Sequence, residues 1–390
     1  VNIRKGLALF LACICAALAP SPAQAAKQDR QWTQTMAAGQ IAFEAGRYAK
    51  AERLLKIALA RAERFGPRDL RLPATLNRLA QVYHEQGQYT RAEPLYKRSL
   101  ALVEKSLGPT HPDVAANLNN LATLYRDEGK FEQAEVLYRK SLGIVRKAQG
   151  AESQDVAISL NNLAELYADE GKYDAAEPLY LESLKICQKT QGPNDMSVAI
   201  SLNNLGALYD NERKYDRAVE SYQRALAIKE LNLGPSDPSI ALTLSNLGRV
   251  YVEARLFDQA QPVLYRALTI LHWPLDTPTN PVAGRALNHL AAYYRDTGNT
   301  TLADYYYKKA MEVTRKTQGS RSLNLAKTMR DYAVMLRQAN RPTEAAKLEA
   351  SAQAIEAHSQ GAPPASSARR ARAKRAPAKK KRPARHKVRR

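Results

Sequence analysis

The stretch LNNLATLYRDEGKFEQAEVLY, residues 118–138, decides the fold. Leu118, Leu121, Ala122 and Tyr125 recur at helical spacing before a Gly129-Lys130 break, and Phe131, Ala134 and Tyr138 do so after it. Two amphipathic helices joined by a tight turn follow. The pattern returns along the chain. Ala51, Ala92, Ala134, Ala176, Ala218, Ala260, Ala303 and Ala345 lie 41, 42, 42, 42, 42, 43 and 42 residues apart, which defines eight units. Their approximate bounds are 31–71, 72–113, 114–155, 156–197, 198–239, 240–282, 283–324 and 325–355.

Other positions keep the same phase. Leu79, Leu121, Leu163, Leu205, Leu247 and Leu290 recur, and four residues later come Tyr83, Tyr125, Tyr167, Tyr209, Tyr251 and Tyr294. Gly46, Gly87, Gly129 and Gly171 stand where the first helix must end in a left-handed residue. Arg213, Arg255, Thr297 with its neighbour Gly298, and Asn340 fill that place elsewhere. A small residue at the marker alanine lets two helices approach closely. Gly-Pro and Asp-rich turns such as Leu107-Gly108-Pro109-Thr110-His111-Pro112-Asp113 separate the units.

This pattern resembles the tetratricopeptide repeat over residues 31–355. The longer unit, with Leu118-Asn119-Asn120-Leu121-Ala122 and Ala134-Glu135-Val136-Leu137-Tyr138, is most similar to the kinesin light chain type. The resemblance implies an all-α, right-handed superhelical solenoid of about eight helical hairpins that binds a peptide or partner protein in a concave groove. It implies no enzymatic activity and no cofactor. The first unit (Thr35-Met36-Ala37) and the last (Tyr332 for Leu, Leu336 for Tyr) depart from the motif and read as caps.

Unrolling the first helix of the third unit puts Val114, Leu118, Leu121, Ala122 and Tyr125 on one stripe. Ala116, Asn119, Asn120, Thr123, Arg126 and Asp127 fall on the opposite arc. The resemblance implies that this arc meets ligand, and the equivalent offsets give Asn77, Arg78 and Gln81; Asn161, Asn162 and Glu165; Asn203, Asn204 and Asp210; Asn246 and Arg249; Arg285, Asn288, His289 and Arg295. An amide both donates and accepts, so an asparagine ladder suits an extended backbone. In the competing reading the second asparagine of each pair bonds the neighbouring repeat. Glu165, Asp169 and Asp210 make the centre of the arc acidic, whereas Arg249, Arg285, Arg295, Lys327, Arg330 and Arg337 make its C-terminal end basic.

The two ends differ from the array. Residues 1–25 read as a secretory signal, with Arg4 and Lys5, an apolar run from Leu7 to Ala19, and cleavage after Ala25. An uncleaved anchor and a lipoprotein signal at Cys13 or Cys15 are the weaker readings. A periplasmic or secreted protein follows, without a transmembrane span once mature, and with Cys187 as its single thiol. Residues 356–390 form an Ala/Pro/Lys/Arg-rich segment expected to be disordered. It holds thirteen Lys and Arg and no acid from Arg369 onward, so with Arg4 and Lys5 also set aside only about +6 of the net +21 belongs to the body. Arg369, Arg370, Arg372, Lys374, Arg375, Lys379, Lys380, Lys381 and Arg382 are candidates for contact with an anionic envelope polymer. Aromatic residues are absent among them, so specific nucleic-acid recognition is unsupported.

No Gly-x-x-x-x-Gly-Lys, His-Glu-x-x-His or Gly-x-Ser-x-Gly motif occurs, and the six histidines lack metal-ligand spacing. The leading expectation is a non-enzymatic interaction scaffold. The alternatives are a polyanion binder acting through the tail and a secreted effector.

Overall fold

The computed structural model describes residues 22–66, 68–272 and 280–359. Residues 1–21 of the expected signal segment, Cys13 and Cys15 among them, and the basic residues from Arg369 onward lie outside these. Among the described residues there are sixteen α-helices, paired as eight antiparallel hairpins, and one 3-10 turn, Pro238–Ile240. The chain divides into two compact units, residues 1–193 and 194–390.

The first unit contains α1 (Pro22–Glu44), α2 (Tyr48–Ala62), α3 (Arg71–Glu85), α4 (Tyr89–Leu107), α5 (Pro112–Asp127), α6 (Phe131–Gln149), α7 (Gln154–Asp169) and α8 (Tyr173–Gln191). Odd-numbered helices open each hairpin and even-numbered helices close it. Ala51, Ala92, Ala134 and Ala176 are fully buried where the two approach, and Leu79, Leu121 and Leu163 are buried beside them. Each such leucine contributes about 1.5–3 kcal/mol by leaving water. Cys187 is also buried, packed as a small hydrophobe. Helix α1 begins earlier than the unit boundary read from the repeat. It is tied to α3 by Trp32 Nε1 donating to Thr75 Oγ1 at 2.9 Å and by an Asp29–Arg71 ion pair at 2.5 Å.

Hairpin turns follow one scheme. Lys130 N donates to Tyr125 O at 2.8 Å and Gly129 N to Arg126 O at 2.9 Å, with Gly129 at φ 74°, so the carbonyls at the helix end are satisfied by a left-handed residue.

The second unit contains α9 (Met196–Asn211), α10 (Tyr215–Leu233), α11 (Ala241–Glu253), α12 (Phe257–Ile270), α13 (Pro281–Asp296), α14 (Thr300–Gln318), α15 (Leu323–Gln338) and α16 (Pro342–Ser359). Ala218, Ala260, Ala303 and Ala345 are again fully buried. The turn scheme persists without glycine: Arg213 and Arg255 at φ 59° and Asn340 at φ 58° hold the left-handed place. In the remaining turn Gly298, not Thr297, holds it. Side chains rarely adopt this conformation, because Cβ crowds the following carbonyl. Close helix approach uses alanine or glycine in both units: Gly39, Ala80, Ala122 and Ala164 in the first and Gly206, Gly248, Ala291 and Ala333 in the second stand at one repeat position, and a Cβ on Gly248 would lie 2.5 Å from Leu264 Cδ2.

Caps at the first helix of a hairpin come from the glycine turns between hairpins. Ser153 Oγ accepts from Val156 N at 3.3 Å in the first unit; in the second, Asp195 accepts from Ser197 N and Asp237 from Ser239 N, each at 2.8 Å. Such a cap is worth about 1 kcal/mol. The last helix extends to Ser359, past the expected end of the array at 355. Ala352 and Ile355 pack on Leu325, Ala326 and Met329 and carry it on. The exchange of Tyr332 and Leu336 costs no core: both are buried, and Tyr332 OH donates to Asp304 at 2.7 Å.

Candidate binding faces

The odd-numbered helices pack directly on one another within each unit, α3 on α5 and α5 on α7, then α9 on α11, α11 on α13 and α13 on α15. Their outward residues therefore form columns at the repeat spacing. The two asparagines of each pair are 100° apart on the helix, and that angle separates their roles. The first turns toward the following helix. Asn77 Nδ2 donates to Asn117 Oδ1 at 2.9 Å, and Asn117, buried, is also held by Ser99 Oγ at 2.8 Å. In the second unit Asn203 accepts from Thr243 Oγ1 at 3.1 Å, and buried Asn288 donates to Asp331 Oδ2 at 2.7 Å. Asn119 and Asn161 are half-buried at the same position. At Asn77, Asn203 and Asn288 the first position of the pair thus stitches repeats, and on α13 the second position, His289, does so as well. Asn120 is exposed and Asn162, Asn204 and Asn246 are half-buried at the second position, with Arg78 in the same column donating to Gln81 at 2.7 Å.

Charge is arranged differently on the two faces. In the first unit Arg126 is a hub, only 12% exposed, with Glu165 at 2.5 Å, Asp127 at 3.1 Å and Asp169 at 3.4 Å. Burial opposes its charge, but Glu165, Tyr138 and Asp127 outweigh it and raise its pKa. Burial raises the Asp169 carboxyl above its ordinary value. Asp127 is opposed by burial, but His84, at 2.8 Å, and Arg126 hold it below. Three carboxylates around one guanidinium leave this patch net acidic.

In the second unit Asp210 is not an exposed acid. Its side chain is 1% exposed and paired with Arg249, and burial raises its pKa. The physical reason is register: Asp210 occupies the place of Arg126 in its repeat, not that of Asp169, and one residue of helix turns it inward. His289, one of the arc residues, is fully buried with Nδ1 3.0 Å from Ser245 Oγ and 3.0 Å from Ser245 O. Burial and the nearby Arg249, Lys327 and Arg285 push its pKa well down, so it is neutral. Arg295 is clamped by Asp296 at 2.6 Å and 2.9 Å; Arg337 pairs with Glu349 at 2.6 Å and Arg330 with Glu356. Arg285 is half-buried and Lys327 exposed.

Two features escaped the sequence reading. The first is a bridge between hairpins of the first unit: Tyr83 OH donates to Glu52 at 3.0 Å, Tyr125 OH to Glu93 at 3.0 Å and Tyr167 OH to Glu135 at 2.7 Å. The signal was the Glu that follows marker alanines 51, 92 and 134. Tyr167 and then Arg139 hold the Glu135 carboxyl below its ordinary value. In the second unit Tyr251 accepts from Gln223 at 2.9 Å and Tyr294 shares a hydrogen bond with Tyr265 at 2.7 Å. The second is a set of exposed aliphatics on the candidate faces, Ile158 in the first unit and Ile200 in the second. Among the described residues no group of three or more His, Cys, Asp or Glu is placed to hold a metal, and no helix is long and apolar enough to cross a membrane.

Tetratricopeptide repeat models match residues 32–105, 71–147, 155–231, 211–271 and 282–355, and a second such model matches 245–312. The chain belongs to the tetratricopeptide repeat family. The matching models describe a repeat and not an enzyme. No curated protein matches. Among solved structures, BtubC (BKLC) from P. vanneervenii is 29% identical over 62% of this chain and 90% of its own, with a TM-score of 0.46. The quorum sensor NprR from B. thuringiensis, in its apo form, is 14% identical over 83% and 86%, with a TM-score of 0.60. The Rap conjugation gene regulator of plasmid pLS20, in complex with the Phr* peptide, is 12% identical over 75% and 76%, with a TM-score of 0.57. At these identities the last two are similar in fold alone.

Proposed function

We propose that this tetratricopeptide repeat protein is a non-enzymatic scaffold that holds an extended segment of a partner protein along the outward columns of its odd-numbered helices. The column at Asn120 and Asn162, and at Asn204 and Asn246, carries the reading: these amides keep exposure to solvent, while Asn77 and Asn203 at the neighbouring position hydrogen-bond the following helix. Each amide can pair with both an N–H and a C=O of an extended backbone. A neighbour in fold is in complex with the Phr* peptide, which supports peptide binding as the use of such an array.

A random decapeptide library selected against the protein tests this. Hits are expected to lose roughly tenfold in affinity for N120A/N162A or for N204A/N246A, as two hydrogen bonds of about 0.5–1.5 kcal/mol each imply. Hits that bind both double variants as well as the parent would overturn the reading.

Export and a tail tether belong to the same proposal. Residues 1–25 fused to a reporter should carry it across the inner membrane, and retention of the reporter in the cytoplasm would refute export. The thirteen cations from Arg369 onward should bind an anionic polymer with an affinity that falls steeply with salt, and equal binding after deletion of 361–390 would remove the tether.

A further inference from the structure

One pair of repeat positions is apolar in every hairpin but the first. Its members stand 30 residues apart, one near the start of the first helix and one near the end of the second. Val114 and Ile144, Val156 and Ile186, and Val198 and Ile228 fill it with buried side chains. In the last hairpin Leu325 and Ile355 share an apolar cluster, and in the second Leu102, together with Leu59 of the first hairpin, packs on the cluster that holds Leu72. The first hairpin has Gln31 and Arg61 instead. Among the described residues no hairpin precedes α1 to cover this position, so polar groups here meet water.

At that exchange lies an open cleft of about 490 Å³, lined by Gln28 and Gln31 of α1 and by Ile57, Ala60, Arg61 and Arg64 of α2 and the turn after it. Lys56 lines it as well. Arg61 Nη1 donates to Gln31 O at 2.6 Å and to Thr35 Oγ1, which fixes the guanidinium at the cleft. Neither Arg61 nor Arg64 has an ion pair among the described residues. The nearby acids are committed elsewhere: Asp29 to Arg71 at 2.5 Å, Glu63 to Arg98 at 3.1 Å, and Glu52 to Lys56 at 2.8 Å and Arg91 at 3.0 Å. Residues three apart on a helix are neighbours, and like charges so placed repel. A cap needs polar groups, but not two adjacent guanidiniums without a carboxylate.

We infer that this cleft binds a phosphate group carried on an apolar substituent. Two guanidiniums, two amides and the Lys56 ammonium offer more N–H donors than one carboxylate can use, whereas a phosphomonoester brings three acceptor oxygens and a charge of about −1.5 to −2. Guanidinium forks suit pairs of those oxygens. Ile57, 43% exposed, and Ala60 beside it give the carbon chain an apolar surface. Soluble phosphomonoesters and phosphatidic lipids both carry the group, and the probes separate them. The site uses none of the outward asparagines, so it stands apart from the peptide-scaffold reading.

The probes are hexyl phosphate, hexanoate, inorganic phosphate, and phosphatidylcholine vesicles with and without phosphatidic acid, each titrated calorimetrically against the full chain. Hexyl phosphate is expected to bind roughly fivefold more tightly than hexanoate or inorganic phosphate. R61Q/R64Q should weaken it about tenfold. R47Q/K50Q removes the same charge from the opposite end of α2 and should change it less than about twofold. Ile57→Ser should erase the preference for hexyl phosphate over inorganic phosphate while leaving the latter bound as before. Preference for the phosphatidic vesicles or for hexyl phosphate identifies the source of the group.

Q31V/R61I restores the apolar pair of the later hairpins, and Thr35 Oγ1 keeps the residue-31 carbonyl to which it donates at 2.6 Å. Its thermal midpoint should hold or rise while phosphate binding is lost, which a purely structural Gln31–Arg61 contact would not give. R64Q, at an exposed side chain without an ion pair, should weaken hexyl phosphate about threefold with an unchanged midpoint, and it serves if the double variant does not fold. Equal losses in R61Q/R64Q and R47Q/K50Q overturn the site. So does hexyl phosphate bound no more tightly than hexanoate, or R64Q binding as well as the parent, or no phosphate probe binding at all. The asparagine columns are untouched by each of these outcomes, since the peptide library tests them separately.

Discussion

The two units are built on one ladder of alanine, leucine and tyrosine, yet they solve the remaining problems of a helical hairpin in different ways. The first turns its chain on glycines, joins hairpins by tyrosine hydroxyls donated to glutamates, and surrounds a single arginine with carboxylates. The second turns on Arg213, Arg255 and Asn340 as well as Gly298, joins hairpins partly through neutral partners, and seals a single carboxylate beneath an arginine. What the two share is dictated by the neighbouring hairpin, because a closely packed helix pair admits few side chains at its contact. What differs faces water or a charge, where several chemistries close the same gap.

The inverted hubs offer the strongest test of the comparison. Arg249→Ala leaves Asp210 buried without a partner and is expected to cost about 3–5 kcal/mol at neutral pH. Arg126→Ala leaves carboxylates that water can reach and should cost about 1 kcal/mol. Because burial raises the Asp210 pKa in the fold, the folded state takes up a proton that the unfolded chain does not, and the R249A deficit should shrink as pH falls from neutral toward the ordinary carboxylate range. Hydrogen exchange, which assigns each opening to its unit, checks both variants. Equal losses would mean that the hubs are equivalent.

Glycine in the helices should give effects of opposite sign. Gly248→Ala forces a methyl onto Leu264 and is expected to destabilise by about 1–3 kcal/mol, whereas Gly143→Ala in the first unit meets nothing within 4 Å and should stabilise by about 0.5–1 kcal/mol. Urea unfolding measures both. At the turns the signs reverse: Arg213→Gly or Arg255→Gly should raise stability by about 0.5–1 kcal/mol, and Gly129→Arg should lower it by about 1 kcal/mol, each read as a shift in thermal midpoint.

The smallest expected effect concerns the joints. Tyr125→Phe should cost about 0.5–1 kcal/mol near neutral pH. Lys97 above all, against the cost of burial, and then the Tyr125 hydroxyl hold Glu93 below its ordinary pKa, so that contribution should fade as pH falls through the carboxylate range. Tyr251→Phe removes a bond to Gln223, whose loss should not depend on pH over that range. Matching acid profiles would erase this difference between the units.

Fold and site were unequally legible in the sequence. The alanines, leucines and tyrosines could be read because packing demands the same residue type at every copy, and repetition makes that demand visible. The left-handed turns were legible by position even where arginine replaces glycine, since the spacing survives the substitution. Charge was not legible in the same way. Asp169 and Asp210 look alike in sequence, but they sit one helical step apart in their repeats, and 100° separates a reachable carboxylate from a sealed one. Likewise, nothing in the residue type of Arg285 distinguishes it from Arg295; only the presence of Asp296 against the latter does.

Cys187, buried in α8, gives the first unit a clock of its own. A thiol packed against its neighbours reacts only when they part, so the rate at which a small alkylating reagent finds it counts the openings of the fourth hairpin. A ligand bound along the first unit would slow that clock, and one confined to the second would leave its local rate unchanged. The unit that a partner grips could then be told from one chemical rate, with no label added to the protein.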